Sequence, residues 1–492
     1  MQKPVRKLAF FTLLLFGALL LNLNYLQVVR SEALLKDPGN TRVLLNEYQN
    51  QRGSIVVAGT PIAVSEPTEG RLKYLRTYPG GALYAPITGY YSMIYGTDGI
   101  EKAENEVLAG TDDRLVGNNL SDLFSGRDPQ GGNVILTINP AAQQAAYDAL
   151  SELTVDGQPA VGGAVAIDPK TGAILALVST PSYDPNKLSS HASADIRAYS
   201  QQLSDMDTDP RSNQATAENY PPGSIFKIID SAAALDGGMQ ITDQVPAPDL
   251  YTLPGTETTL SNFDNSSCSP SGTTTLMHAF AISCNTTFAQ MAVEDIGVDN
   301  LREMATKFGA NDEPWSMPLP VSRSTLGPIA DDASLAQSAI GQRDVRFTVM
   351  QGAMLSATIA NGGQLMKPYL VAETQAPDLS VLDKTEPEEF GPAAVSEDIA
   401  DDITEMMISV VQEGSGTQAQ VPGVTVAGKT GTAEVAEGVN DHTWFTGFAP
   451  ADDPKIAVAV FIRNGGGTGG EMSAPIASQI ISAYLNSQQG GG

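Results

Sequence analysis

Three short motifs, far apart but in a set order, restrict most what this chain can fold into. Ser224-Ile225-Phe226-Lys227 follows Tyr220-Pro221-Pro222-Gly223; Ser283-Cys284-Asn285 comes next and Lys429-Thr430-Gly431-Thr432 last. Pro221 and Pro222 favour a helix start, which puts Ser224 and Lys227 on one helical face. A serine hydroxyl is a poor nucleophile until a neighbour takes its proton. Lys227 can do so only when neutral, so its pKa has to fall well below the ordinary value of about 10.4. Burial and a second cation both lower it, and Lys429 is the natural second cation. Near a helix N-terminus, the Ser224 N–H also stands where an oxyanion would develop.

The remaining motif residues suit a peptide substrate. Ser283 is placed to relay a proton between Lys227 or Lys429 and a leaving amine, and Asn285 to hold a substrate amide. Lys429-Thr430-Gly431-Thr432 reads as a strand whose backbone can pair with an extended peptide. The Thr430 and Thr432 hydroxyls, beside the Lys429 charge, would hold a terminal carboxylate. The expected catalytic residues are thus Ser224, Lys227 and Ser283; the expected substrate-binding residues are Asn285, Lys429, Thr430, Gly431 and Thr432. Taken singly the motifs are weak, because Ser-x-x-Lys is common by chance. Gly423–Thr430 also fits the phosphate-loop pattern G-x-x-x-x-G-K-[ST]. Its four intervening residues are β-formers and Gly431 follows at once, so the match is false.

Lys3, Arg6 and Lys7 precede an apolar run from Leu8 to Leu21 that continues less purely to Val29. As a helix, Leu8–Val29 extends roughly 33 Å, enough to cross a bilayer. The flanking cations put residues 1–7 in the cytoplasm and everything beyond Val29 outside. The alternative is a cleaved signal peptide, with Ser31-Glu32-Ala33 as a loose cleavage site. Continuation of the apolar run past Leu21 favours the anchor.

The chain has 492 residues, enough for about two to four domains. Its net charge of −28 (28 basic, 56 acidic residues) leaves no electrostatic footprint for nucleic acid. Three His and two Cys show no metal-ligand spacing, and no metal or cofactor is expected.

Residues 30–155 read as a small extended module without long helices, ending in a strand at Val134–Ile138 and a helix from Pro140 to about Leu153, capped by Asn139. Residues 156–487 read as the catalytic domain. Gly163–Ile167 and Ala173–Val178 form a hairpin, and Gly423–Ala427, Thr443–Phe448 and Ile456–Arg463 are strands that could join it in one antiparallel sheet covered by helices. Gly465–Gly470 reads as a turn, and a helix from about Pro475 to Leu485 closes the fold. Asp378–Asp402 is acidic and contains Pro; 488–492 is a frayed tail. The fold class is α+β.

Cys268 and Cys284, the only cysteines, both lie outside the cytoplasm on this topology, where disulfides persist. A disulfide between them is expected, tying the second motif to the preceding loop. The competing reading is two buried free thiols packed as small hydrophobes.

On these motifs the chain resembles the class B penicillin-binding proteins, D,D-transpeptidases with a serine β-lactamase-like domain. Arg52-Gly53-Ser54-Ile55 looks like the opening of that family's N-terminal module. Ala166-Ile167-Asp168, Pro181-Ser182-Tyr183, Gly341-Gln342, Ala360-Asn361-Gly362-Gly363 and Trp444-Phe445-Thr446-Gly447-Phe448 resemble segments of its transpeptidase domain. Tyr84-Ala85-Pro86 and Gly99-Ile100-Glu101 look closest to the actinobacterial branch typified by penicillin-binding protein A. Ile225 and Asn213-Gln214-Ala215 depart from the commoner Thr and Asn-Arg-Ala, the second with consequences for a salt bridge.

The resemblance implies that Ser224 attacks the penultimate D-alanine carbonyl of a peptidoglycan stem peptide and expels terminal D-alanine. An amine from a neighbouring stem then forms the cross-link. It also implies acylation by β-lactam antibiotics and membrane-embedded wall-synthesis partners. A D,D-carboxypeptidase would differ in letting water resolve the acyl-enzyme, and a β-lactamase would need an efficient deacylating water. An assembly scaffold would need neither Lys227 nor Ser283, and a β-lactam sensor would need a signalling module inside the cell, where about seven residues precede the anchor.

Overall fold

The computed structural model describes residues 3–30, 48–70, 72–115, 130–310 and 313–489. Strands Ile55–Val57 (β1), Thr60–Pro67 (β2), Tyr74–Thr77 (β3) and Asn133–Leu136 (β4) come first, then Val161–Ile167 (β5) and Ile174–Thr180 (β6). Val371–Gln375 (β7), Val381–Lys384 (β8), Ala427–Ala433 (β9), His442–Ala449 (β10) and Ile456–Arg463 (β11) follow. They form two sheets, ordered β8-β7-β4-β1-β2-β3 and β6-β5-β11-β10-β9. The fold is the expected α+β arrangement.

The first sheet crosses the chain. β4 runs parallel to β1 on one side and antiparallel to β7 on the other. The N-terminal module is therefore completed by two strands from beyond residue 370, one of them inside the acidic stretch that starts at Asp378. Within this module Glu101, on a short helix, is fully buried between Arg52 and Arg76, whose Nε atoms donate to its two oxygens at 2.6 and 2.5 Å. Burial pushes the Glu101 carboxyl up, but the two guanidiniums outweigh it and hold it below its ordinary range.

The second sheet is antiparallel throughout. Side chains alternate across a strand, so Val165 and Ile167 of β5 join the core containing the helix Val349–Ala360. Ala164 and Ala166 join a second core, under the helices Pro140–Ser151 and Ala474–Gln489. The Asn139 side chain caps the first of these, accepting from the N–H groups of Ala141 and Ala142 at 3.0 Å. That helix precedes the expected boundary at 155, yet its apolar face packs on the second sheet.

One strand is corrected. The chain at Gly423–Val426 forms no sheet strand; β9 begins at Ala427 and carries Lys429–Thr432 in its middle. Gly423 has φ +75° and the Val424 N–H donates to the Val421 carbonyl, so the β-forming residues before Ala427 turn onto the sheet rather than run within it. With a strand after Gly428 instead of a helix, the phosphate-loop pattern fails structurally.

Near the N-terminus Lys3–Asn24 is helical and continues through a wider turn to Val29, and none of its side chains is buried. By length and composition Lys3–Val29 can cross a membrane. The alternative cleavage site at Ser31-Glu32-Ala33 and most of the 488–492 tail lie outside the described residues; Gln488 and Gln489 still belong to the last helix.

Candidate active site

The first motif is mounted against β9 by backbone contact. Gly223–Phe226 forms a tight turn that continues as the helix Lys227–Asp236. Gly223 has φ +55°, and a β-carbon there would stand 2.5 Å from the Thr432 carbonyl oxygen. Gly431 is as constrained, its β-carbon position lying 2.7 Å from the Pro222 carbonyl oxygen. Trp444 Nε1 donates to the Pro221 carbonyl at 2.9 Å, and the Gly223 N–H to that of Gly341. Ser224 is thereby pressed beside Thr432. Gln214, expected to disturb a salt bridge, accepts from Tyr220 Oη at 2.6 Å and steadies the approach to the two prolines.

The second motif meets both lysines. Ser283, with φ +63°, sits between the helices Leu276–Ala281 and Asn285–Met291. Lys227 Nζ donates to the Ser283 carbonyl and to Asn285 Oδ1, each at 2.8 Å, and reaches Ser283 Oγ at 3.3 Å. Lys429 Nζ donates to the same Oγ at 2.8 Å. Both lysines are fully buried, each over an aromatic ring, Phe288 under Lys227 and Phe280 under Lys429.

Burial lowers the Lys227 pKa well below the usual lysine range; the Lys429 charge pushes the same way and Asp230 opposes it. Burial takes Lys429 down to about 7. Both shifts favour a neutral amine beside a serine. No hydrogen bond joins Lys227 to Ser224 among the described residues, so Ser283 and Asn285 are its resting partners.

A cleft of about 660 Å³ runs past these groups, lined by Ser224, Ser283, Asn285, Thr430 and Thr432. One wall is the segment Thr259–Asn265, whose first three residues are a strand. Asn262 Oδ1 accepts from the Thr286 N–H, and Cys268 is bonded to Cys284, so that wall is tied to the second motif. The bonded sulfurs are buried.

Several residues in the cleft had no assigned role in the sequence reading. Ser415 shares a 2.6 Å hydrogen bond with the Thr430 hydroxyl. The Gly469 N–H donates to Thr432 Oγ1 at 3.3 Å, and a β-carbon at Gly469 would meet the Gly431 carbonyl at 2.4 Å. The Gly465–Gly470 segment, expected to be only a turn, thus lines the cleft. Its glycine run was the available signal.

β9 ends the sheet order and pairs only with β10 among the described residues. An open strand edge can seat an extended peptide, and a serine beside a lysine of lowered pKa can be acylated by it, which defines the class as an active-serine acyltransferase. The chain belongs to the penicillin-binding protein transpeptidase family: its transpeptidase domain model matches residues 162–482, and the penicillin-binding protein A dimerisation domain matches 52–134. It is 45% identical over 99% of both chains to the peptidoglycan D,D-transpeptidase PbpA of Mycolicibacterium smegmatis. It is also similar to penicillin-binding protein A of Mycobacterium tuberculosis in its ceftriaxone acyl-enzyme complex (44% identity, TM-score 0.87, covering 90% of this chain and 100% of that one). The penicillin G acyl-enzyme of the same protein matches with TM-score 0.85 at 44% identity over 89% of this chain and 100% of that one.

Proposed function

We propose that this chain is a peptidoglycan D,D-transpeptidase that cross-links stem peptides through a Ser224 acyl-enzyme and is acylated there by β-lactams. The observation that carries it is the convergence of Lys227 and Lys429 on Ser283 Oγ, beside Ser224 and the open edge of β9. The relatives support it, since one is named a D,D-transpeptidase and another is crystallised as β-lactam acyl-enzymes.

Ser224 Oγ attacks the penultimate D-alanine carbonyl while neutral Lys227 takes its proton. The Ser224 N–H, at the start of its helix, stabilises the oxyanion. The amide C–N bond then breaks, and Ser283 passes a proton from the lysines to the departing D-alanine amine. An amine from a neighbouring stem attacks the ester, its proton returns to the lysines, and Ser224 leaves re-protonated. Asn285 holds the donor amide, while Thr430 and Thr432, with Lys429 and the Gly431 backbone between them, receive the terminal carboxylate. With a β-lactam the broken C–N bond lies in a ring, so the amine stays tethered and the ester persists.

Intact mass spectrometry after incubation with penicillin tests this. Wild-type protein gains one whole penicillin and Ser224→Ala gains none, while unfolding at the same temperature; labelling of Ser224→Ala at the wild-type rate removes Ser224 as nucleophile. Lys3–Val29 is read as a single-pass anchor with the catalytic domain outside the cytoplasm, where membrane-embedded wall-synthesis proteins are its partners. A protein starting at Arg30 should then be soluble and still acylated.

A further inference from the structure

The Ser224 cleft does not stop at the end of β9. A second cavity of about 640 Å³ lies beyond it, and the two share Thr259, Leu260, Ile340, Gln342 and Glu434 as lining. They make one trough. Its far half is walled by Tyr220, His442, Arg343 and Arg346.

Three positions fix the direction of a peptide in this trough, given the acyl-donor reading above. The terminal carboxylate lies at Thr430 and Thr432, the scissile carbonyl at Ser224, and Ser224 stands beside Thr432. A donor therefore runs antiparallel to β9, and its upstream residues pass Glu434 into the far half. At the strand rise of about 3.4 Å per residue, only a donor extended by about two or more residues reaches there.

Of the two cations in the far half, Arg346 is held in place and Arg343 is exposed. Arg346 exchanges both backbone hydrogen bonds with Thr325, and Phe347 does the same with Tyr220, which leads straight into the Ser224 turn. Arg346 Nη1 donates to the carbonyls of Arg343 and Val345, at 2.6 and 2.8 Å. Its other N–H groups have no hydrogen-bond partner among the described residues. Arg343 is a non-glycine residue at φ +59°, a conformation that persists where surrounding structure imposes it; its ion pair to Asp344, at 3.4 Å, is half exposed. His442, held down to about 4 by burial and by Arg463 and Arg346, adds no charge near neutral pH. Glu434, exposed where the halves meet, disfavours an anion at the junction but not beyond it. Two arginines lining one cavity, one of them with unpaired N–H groups, suit a carboxylate.

We infer that the far half is a subsite for a carboxylate carried by the acyl-donor peptide upstream of the scissile bond, bound by Arg343 and Arg346. Arginine at this point selects among donors before chemistry begins.

The test compares acylation rates, by intact mass, for three probes. One is penicillin; the others are extended peptide thioesters ending in D-alanine, identical except that an upstream side-chain carboxylate is free or amidated. For Arg343→Gln with Arg346→Gln, the rate with the free-carboxylate donor should fall at least about tenfold, the worth of one charge-assisted hydrogen bond. Penicillin and the amidated donor should change less than about twofold by the same arithmetic, which also shows that the variant folds. Arg346→Lys should recover part of the loss. Equal losses for both thioesters, or no loss for either, would overturn the subsite. A wild-type protein that forms no penicillin adduct on Ser224 would instead sink the transpeptidase reading, and the subsite with it.

Discussion

Gly223 and Thr432, more than two hundred positions apart in the chain, touch so closely that a β-carbon on Gly223 would stand 2.5 Å from the Thr432 carbonyl oxygen. The positive φ at Gly223 adds to the restriction. Gly223→Ala should therefore lower stability by about 1–3 kcal/mol and remove penicillin acylation even where the protein remains folded. Thermal unfolding together with penicillin labelling checks both halves of the expectation.

Lys227 must be neutral to act as base, so acylation should rise with pH and level off well below the usual lysine range. Lys429 lowers the Lys227 pKa by charge repulsion while it is protonated, below about 7. Lys429→Met removes that cation, raises the Lys227 pKa, and moves the acid limb of the penicillin-acylation profile to higher pH. A limb that stays put, whatever the plateau does, would contradict the coupling.

Asp230 lies one turn beyond Lys227, fully buried, with no hydrogen-bond partner for either carboxyl oxygen among the described residues. Burial pushes its pKa well above the ordinary carboxylate range, against the pull of Lys227. A raised folded pKa gives stability that is complete below the unfolded value of about 3.9 and declines as pH rises through the folded value. Asp230→Asn has no such group to ionise. Across that window its unfolding midpoint, measured by denaturant titration, should fall less with pH than the wild type's.

Glu101 shows the opposite sign. Its pKa is held down by Arg52 and Arg76, so its contribution is present at neutral pH and fades as acid protonates the carboxylate. Breaking a buried ion network leaves unpaired charge and costs about 3–5 kcal/mol. Glu101→Gln should destabilise the N-terminal module by that order in urea, while penicillin acylation of the folded protein is retained, because Ser224, Lys227 and Ser283 lie with the other sheet.

Cys268 and Cys284 are bonded across a sequence separation of 16. In the chain-entropy model a loop of this size is worth about 3 kcal/mol. Replacing both with Ser should lower stability by that order, and thiol counting on unreduced, denatured wild-type protein should find no free thiol.

Local chemistry made much of this protein readable from sequence. Spacing of three residues puts Ser224 and Lys227 on one helical face, Asn139-Pro140 caps a helix, and runs of β-forming residues mark β5, β6, β10 and β11, because each depends on neighbours within a turn or a strand. The apolar length of residues 8–29 needs no partner at all. Tertiary structure alone decided where β9 begins, since the turn at Gly423 outweighs the β-propensity of Val424–Val426. It also decided that β7 completes a sheet begun at β1, that Gly469 rests on Gly431, and that Arg346 faces the trough beyond Glu434. Those relations are contacts between segments with no local signature. Only the packing of two sheets and their helices brings them within hydrogen-bonding distance.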